Sequence, residues 1–291
     1  MPTFPTPDPI TVVLGVTSGQ VRIVASDRAD TAVQINPGNK ASASDAKVAE
    51  QTQVDFSGGR LVVIAPEPSG LKSIIGTESS VDVTIELPAG SSLEATTAKA
   101  EIRAEGSLGE CRVHTASGHV RLDRTGALHA DSADGPLTVE HVSGHATVSV
   151  ASGRVRIGEI DGTAAIDSGN GDIWVGYATQ DLEIGTANGD IAVDRADANV
   201  TAQTSGGSIR IGEVARGRAE LMTAEGQLDV GIREGSAAWI DARSRTGSVR
   251  NSLAQQDGPE QFAEKVKVRA HTRSGDVVIR RAPQRSPSAH E

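Results

Sequence analysis

A small residue, a glycine, one variable position and then an aliphatic residue recur through the chain as ASGHV, ADGPL, ASGRV, GNGDI, ANGDI, SGGSI, AEGQL, RTGSV and RSGDV. The glycines are Gly118, Gly135, Gly153, Gly171, Gly189, Gly207, Gly226, Gly247 and Gly275, spaced 17 to 19 residues apart as far as Gly226 and then 21 and 28. With Ala100 standing in the glycine slot 18 residues before Gly118, the chain holds ten units. Two positions after the slot runs an unbroken aliphatic column: Ile102, Val120, Leu137, Val155, Ile173, Ile191, Ile209, Leu228, Val249 and Val277. Four positions after it the residue is apolar in nine of ten units, the exception being Asn251. Five before it stands a further apolar column from Ala95 to Ala270, and three before it a column of Thr and Ser interrupted once by Val150. A period of two on each side of the glycine predicts two short strands per unit, each with one buried face.

A second set of glycines, Gly109, Gly126, Gly144, Gly162, Gly217 and Gly235, falls half a unit later and predicts a second tight corner made possible by positive φ. Two corners per unit imply an all-β fold: a single-chain parallel β-solenoid (β-helix) of ~18-residue two-strand coils, equivalent strands stacking about 4.8 Å apart. The Ser/Thr column shares its face with Ala and Ile, which predicts side-chain hydrogen bonds along a ladder in the core rather than an ice-binding surface. A hexapeptide left-handed β-helix would need an apolar residue every six positions, which the columns do not supply. The three-faced helix of pectin-degrading enzymes has longer coils and is the minor alternative.

Residues 1–90 predict an N-terminal β-rich cap with strands at Gln20–Val24, Leu61–Ala65 and Val81–Leu87 and a polar excursion, NPGNKASASDAKVAEQ. Residues 91–281 form the repeats and 282–291 a disordered tail. The insertion QQDGPEQFAEK before Gly275 reads as a helical turn on a loop, and Trp239 is expected to pack against the C-terminal end of the coils.

Composition sharpens this picture. Three Phe, two Trp and one Tyr in 291 residues force an aliphatic core, which stacked ladders can supply. Thirty-eight acids against 28 bases give a net charge of −10, the wrong sign for wrapping nucleic acid or an anionic bilayer. The single Cys111 excludes an internal disulfide framework and is expected in the core, and no Cys/His spacing matches a zinc finger. No window reaches the ~20 apolar residues of a membrane span, and MPTFPTPDPITVVLGV lacks the basic start of a secretory signal. A cytoplasmic location follows as the expectation, with surface display by a leaderless route as the other route. From Glu264 onward seven bases face three acids, which reads as a solubilising cap on the last coil or a dock for an acidic partner.

The run SSVDVTIELPAG, then SSLEATTAKAEIRAEG and the repeated TASGHVRL, VASGRVRI, ANGDIAV and SGGSIRI units, resembles the DUF4097 family of bacterial β-strand-repeat proteins that carry an adhesin label, from about residue 10 to Arg281. The resemblance implies the solenoid architecture and a binding role; it brings no catalytic residues and no cofactor.

The candidate chemistry is sparse. Arg103, Arg121, Arg156 and Arg210 share the outward position three after the slot, with Trp174 at the same offset and Tyr177 three residues on; this face is the candidate surface for a protein or glycan partner, the aromatic rings serving to stack. Asp172 and Asp190 follow the glycine in adjacent coils and would be the acids of the alternative reading, a polysaccharide lyase or glycosidase. His114, His119, His129, His141 and His145 crowd 32 residues, but their offsets from the slot form no single ladder, so neither a metal nor a catalytic role is expected of them. The sequence thus predicts a non-enzymatic protein presenting a rigid repetitive surface as an intracellular scaffold, with no cofactor, no nucleic acid partner, and end-to-end self-association as a further possibility for its open ends.

Overall fold

A computed structural model describes residues 2–66, 79–253 and 264–283. The expected helical turn in QQDGPEQFAEK lies almost wholly outside these residues, as does the tail from Gln284. The chain divides into two compact units, Met1–Arg156 and Ile157–Glu291.

Unit 1 contains β1 (Thr3–Pro5), β2 (Thr11–Ser26), β3 (Asp30–Pro37), α1 (Ala43–Gln51), β4 (Gln53–Ser57), β5 (Arg60–Ile64), β6 (Val81–Pro88), β7 (Ser92–Ser107), β8 (Cys111–Ser117), β9 (Val120–Thr125), β10 (Leu128–Asp134), β11 (Leu137–Val142) and β12 (Ala146–Ser152); the division falls within β13 (Val155–Ile160). The parallel stacks are those the columns predict. The first half of β7 pairs with β8, β8 with β10 and β10 with β12, while the second half of β7 pairs with β9 and β9 with β11. Registers align the columns, as in Ala130↔Val113 and Val139↔Leu122, and the inward residues are buried.

The stack starts earlier than Ala100. Strand β2 pairs in parallel with β7 from Thr11↔Ser92 to Val24↔Glu105 and is itself a repeat unit, TSGQV. Its Gly19 occupies the slot with φ +133°, and Leu14, Val16, Val21 and Ile23 fill the inward positions at no more than 2% exposure. Ala100, which pairs with Gly19 and whose carbonyl Gly118 packs against, fills the slot without the slot's conformation: among the described residues φ is positive only at glycines. The other edge of β2 is taken by β5 and β6, which pair antiparallel with β4 and β3, and β3 with β1. Antiparallel strands thus end the parallel ladder on this side.

The polar excursion NPGNKASASDAKVAEQ holds a helix, α1, rather than a plain loop. Ser42 is its N-cap, accepting from the Asp45 N–H at 3.3 Å. Asp45 is buried and accepts from the Asn39 N–H, Ser42 Oγ and Ser80 Oγ. Burial pushes its carboxyl upward, but these donors outweigh that and hold it below the ordinary carboxylate value. The Ser-x-x-Asp spacing is the signal that marks this helix start.

Unit 2 contains β14 (Ala164–Asn170), β15 (Ile173–Ala178), β16 (Leu182–Asn188), β17 (Ile191–Ala196), β18 (Val200–Gly206), β19 (Ile209–Val214), β20 (Gly217–Glu225), β21 (Leu228–Ile232), β22 (Ser236–Thr246), β23 (Val249–Asn251), β24 (Glu264–Ser274) and β25 (Val277–Arg281). Coils stack in sequence order as far as β20 and β21, and then the order changes. Strand β24 lies between β20 and β22, and β25 between β21 and β23. Among the described residues the coil carrying Gly247 is therefore outermost, and the last coil in sequence is interior. Trp239 is 54% exposed and Val249 46%, so Trp239 does not pack on a further coil and Val249 leaves the buried column. The C-terminal bases do not form an end cap either: Arg269 on β24 reaches Glu220 on β20 at 2.8 Å and Asp241 on β22 at 4.0 Å.

All nine slot glycines from Gly118 to Gly275 have φ between +118° and +151°. A Cβ at Gly189 would also lie 2.2 Å from the Gly171 carbonyl oxygen, so both conformation and close stacking demand glycine. The second corner differs from the expectation. Gly217 and Gly235 have positive φ, but Gly109, Gly126, Gly144 and Gly162 do not; the first three of these are bare because the coils touch there, a Cβ at Gly144 meeting the Ala127 nitrogen at 3.0 Å.

The Ser/Thr column also serves a different end from a side-chain ladder. Thr97 donates to Thr115 at 2.9 Å, but Thr204, Thr223, Thr272 and Ser244 donate to the carbonyls of Gly189, Gly207, Gly226 and Gly275, the slot glycine of the neighbouring coil in space. The hydroxyls pay the corner's hydrogen-bonding debt.

Candidate binding surface and the polar clusters around it

The candidate surface residues fall on both units. In unit 1, Arg22, Arg103 and Arg121 stand side by side on the outward face of β2, β7 and β9. Their charges are balanced: Glu105 accepts from Arg22 at 3.1 Å and Arg103 at 2.9 Å, and Glu140 lies 3.7 Å from Arg121. Each arginine remains about half exposed, which keeps its donors within reach of a partner. Arg156, the last residue of this unit, is exposed.

In unit 2 one outward row reads Trp174, Ala192, Arg210 and Asp229 on β15, β17, β19 and β21. The indole of Trp174 lies over Gly176, where a Cβ would sit 3.0 Å from its Cη2. Arg210 stands two strands away, about 10 Å at the usual strand spacing, with only a methyl group, Ala192, between. Arg210 is 69% exposed and its Nε is 4.0 Å from Asp229, which is held instead by Arg280 at 2.9 Å.

Tyr177, three residues on from Trp174, stands in a different row, beside Arg195, and belongs to a polar cluster. Its hydroxyl donates to Asp197 at 2.5 Å, and the Arg195 guanidinium covers one ring face at 4.6 Å. Arg195 and Arg233 both pair with Asp197, at 2.9 and 2.7 Å, and Arg233 with Glu213 at 2.5 Å. The hydrogen bond to Asp197, and then burial, raise the Tyr177 phenol above its ordinary value. Burial pushes Asp197 up, but the bonds from Arg195 and Tyr177 and the arginine charge prevail and hold its carboxyl low. The cluster fixes the bend between β21 and β22, where Arg281 also donates to the carbonyls of Arg233 and Ser236.

Asp172 and Asp190 do stack on adjacent coils, in the service of the backbone. Asp172 Oδ1 accepts from the Asp190 N–H at 3.1 Å, and Asp190 Oδ1 from the Ser208 N–H at 2.7 Å. Asp181 and Asn199 do the same at the opposite corner of the coil. Cys111 is fully buried and burial pushes its thiol up to about 12, leaving no thiolate for nucleophilic work.

The histidines divide. His114 on β8 and His129 on β10 converge on Asp131, their nitrogens 3.1 and 3.0 Å from the same carboxylate oxygen. Offsets of −4 and −6 from the slot differ by two and so share one outward face. Parity, rather than equality of offset, is the signal that joins them, and Asp131, two residues after His129 on β10, shares the offset of His114.

Corner glycines, buried aliphatic columns and capping acids together define a parallel β-solenoid repeat protein. The chain matches the Toastrack DUF4097 family over residues 11–221 and belongs to it. That match begins at Thr11, the start of β2. No curated protein matches the chain in sequence. Among solved structures it is similar to a putative adhesin from Bacteroides fragilis NCTC 9343, with 12% identity, 96% of this chain and 95% of the other covered, and a TM-score of 0.44. It is also similar to a putative cell adhesion protein from Clostridium sporogenes ATCC 15579, with 11% identity, coverage of 96% and 98%, and a TM-score of 0.23. Among the described residues no helix is long and apolar enough to cross a membrane.

Proposed function

We propose that this protein is a non-enzymatic binding protein of the adhesin type, which holds a protein or glycan partner on the outward sheet face of its coils. The Trp174–Ala192–Arg210 row carries the reading: an aromatic plane and an exposed guanidinium, about 10 Å apart on rigid backbone, match a ring to stack and an acidic group to pair. In unit 1, Arg103 and Arg121 on their own outward face offer donors to an acidic group in the same way. An enzymatic reading through Asp172 and Asp190 has less to stand on, since both carboxylates accept backbone N–H groups of the next turn.

The test is a glycan array and an affinity capture with the full chain, each repeated with Trp174→Ala/Arg210→Ala. Binding that falls at least about tenfold in the double variant supports the row as the site; binding that survives unchanged overturns it. Protease shaving of intact native cells tests where the partner is met. A protected pool supports the intracellular scaffold, and a shaved one replaces it with display on the cell surface.

A further inference from the structure

We propose that His114, His129 and Asp131 form a binding site for a divalent transition-metal ion, with zinc the best match. One ligand atom from each residue lies within 4.8 Å of the others. The two imidazole nitrogens are 3.1 and 3.0 Å from one oxygen of Asp131, close to the ~3.3 Å that separates two ligand atoms in a tetrahedral zinc site with bonds of about 2.0–2.1 Å. The rings are 5.7 Å apart and inclined by 67°, so they do not stack and their nitrogens are free to point at a common centre.

The backbone makes this convergence a built property. His129 and Asp131 are two apart on β10 and so point to the same side, and the register places Asp131 directly beside His114 on β8. The three ligands therefore sit on two strands locked by one coil-to-coil step, with no loop to order on binding. The neighbours are compatible with a cation. Arg112, beside His129 in the register, is engaged by Glu110 at 2.5 Å and Glu94 at 3.6 Å. Thr96 beside His114, and Thr147 and Ser149 beside His129 and Asp131, place hydroxyls around the site that suit water on the remaining coordination positions.

The donor set selects the metal class. Two imidazoles and one carboxylate favour Zn²⁺, Co²⁺, Ni²⁺ or Cu²⁺ over Ca²⁺ and Mg²⁺, which take oxygen ligands. About half of each side chain is exposed, so a bound ion keeps positions open toward solvent or a partner's ligand. The competing account is a carboxylate bridging two imidazoles by hydrogen bonds alone.

Isothermal titration with Zn²⁺ and visible spectroscopy with Co²⁺ on the full chain decide between them. The proposal expects one ion per chain at micromolar affinity, a Co²⁺ spectrum of low coordination number, and a melting temperature that rises with added Zn²⁺. His129→Ala and Asp131→Ala each lower the affinity at least about tenfold and abolish the thermal shift, while His141→Ala, on β11 of the other stack, leaves both unchanged. The substituted side chains point outward, and unaltered circular dichroism without metal verifies that the variants fold. No binding up to a millimolar concentration, or binding that survives both variants, overturns the proposal.

Discussion

The coils carrying Gly247 and Gly275 have nearly the same signature, RTGSV and RSGDV, and nearly the same corner, φ +148° and +138°. Their fates differ. The later coil inserts between its predecessors, with Val266, Val268, Ala270, Val277 and Ile279 at no more than 1% exposure. The earlier is left outermost, with Val249 46% exposed and Asn251 where every other unit has an apolar residue. Any two coils of one register can pair, because backbone hydrogen bonding is the same for all. What distinguishes them is the apolar surface that a second neighbour removes from water, about 25 cal/mol per Å². The coil with the complete columns gains more from an interior place, and the coil with Asn251 loses least at the end. A slot signature thus specifies a coil, and the columns beside it specify where the coil goes.

The sharpest way to break that comparison is to place a carboxylate in the same column of each coil. Ile279→Asp buries an unpaired charge between two neighbours and is expected to cost at least about 4 kcal/mol, enough to lose the C-terminal coils. Val249→Asp, already in water, should stay within about 0.5 kcal/mol. Urea unfolding of the two variants reads the difference directly, and equal midpoints would mean that the order of the last two coils is wrong.

Corner substitutions give the next effect. A Cβ at Gly275 would lie 2.0 Å from the Gly226 carbonyl oxygen at a φ of +138°, so Gly275→Ala must push coils apart as well as strain the backbone, about 2–4 kcal/mol in all. Gly235, at the entry to the outermost coil, has φ +82° but nothing within 4 Å, and Gly235→Ala should cost only the strain, about 1 kcal/mol. Thermal melts that rank the two in reverse would refute close stacking as the reason for glycine.

The bend leading into the outermost coil supplies a pH test. Asp197 binds Tyr177, Arg195 and Arg233, and its carboxyl is held below the ordinary carboxylate value. A depressed folded-state value means that the contribution is complete at neutral pH, begins to fall as pH drops to the ordinary carboxylate range, and is gone once pH passes below the folded value. Asp197→Asn should cost about 1–2 kcal/mol at pH 7 and less in acid. A variant whose deficit grows on acidification would reverse the assigned sign.

Much of this architecture was legible because its two strictest demands are written in residue type. Positive φ at a stacked corner admits only glycine, which exposed nine corners, and inward positions admit only aliphatics or a small hydroxyl. The unit at Gly19 obeys both rules and escaped because strands β3 to β6 separate it from Ala100. The order of the last coils escaped because periodicity tells which way a residue faces, never which coil is its neighbour. The same gap hid the His114, His129 and Asp131 cluster: His129 and Asp131 share an outward face of β10, but only the register of β8 and β10 brings His114 beside Asp131. Nor does the sequence show what surrounds Tyr177, three residues on from Trp174: Asp197 and Arg195, which engage it, come from the next coil.

The smallest expected effect bears on the basic strand β24. Arg269 spans the interior coil, with Glu220 on one neighbour and Asp241 on the other, yet it is about half exposed. If ion pairs chose the coil order, Arg269→Ala would release β24 from its place. If burial chose it, the variant should lose no more than about 0.5–1 kcal/mol, and that loss should shrink toward zero in 1 M salt, where exposed pairs are screened. Equilibrium unfolding of Arg269→Ala at low and high salt separates the two. A loss of several kcal/mol that persists in salt would transfer the choice from the aliphatic columns to the charges. A small, screened loss would leave Val268, Val277 and Ile279 as the reason why the last coil in sequence is not the last in space.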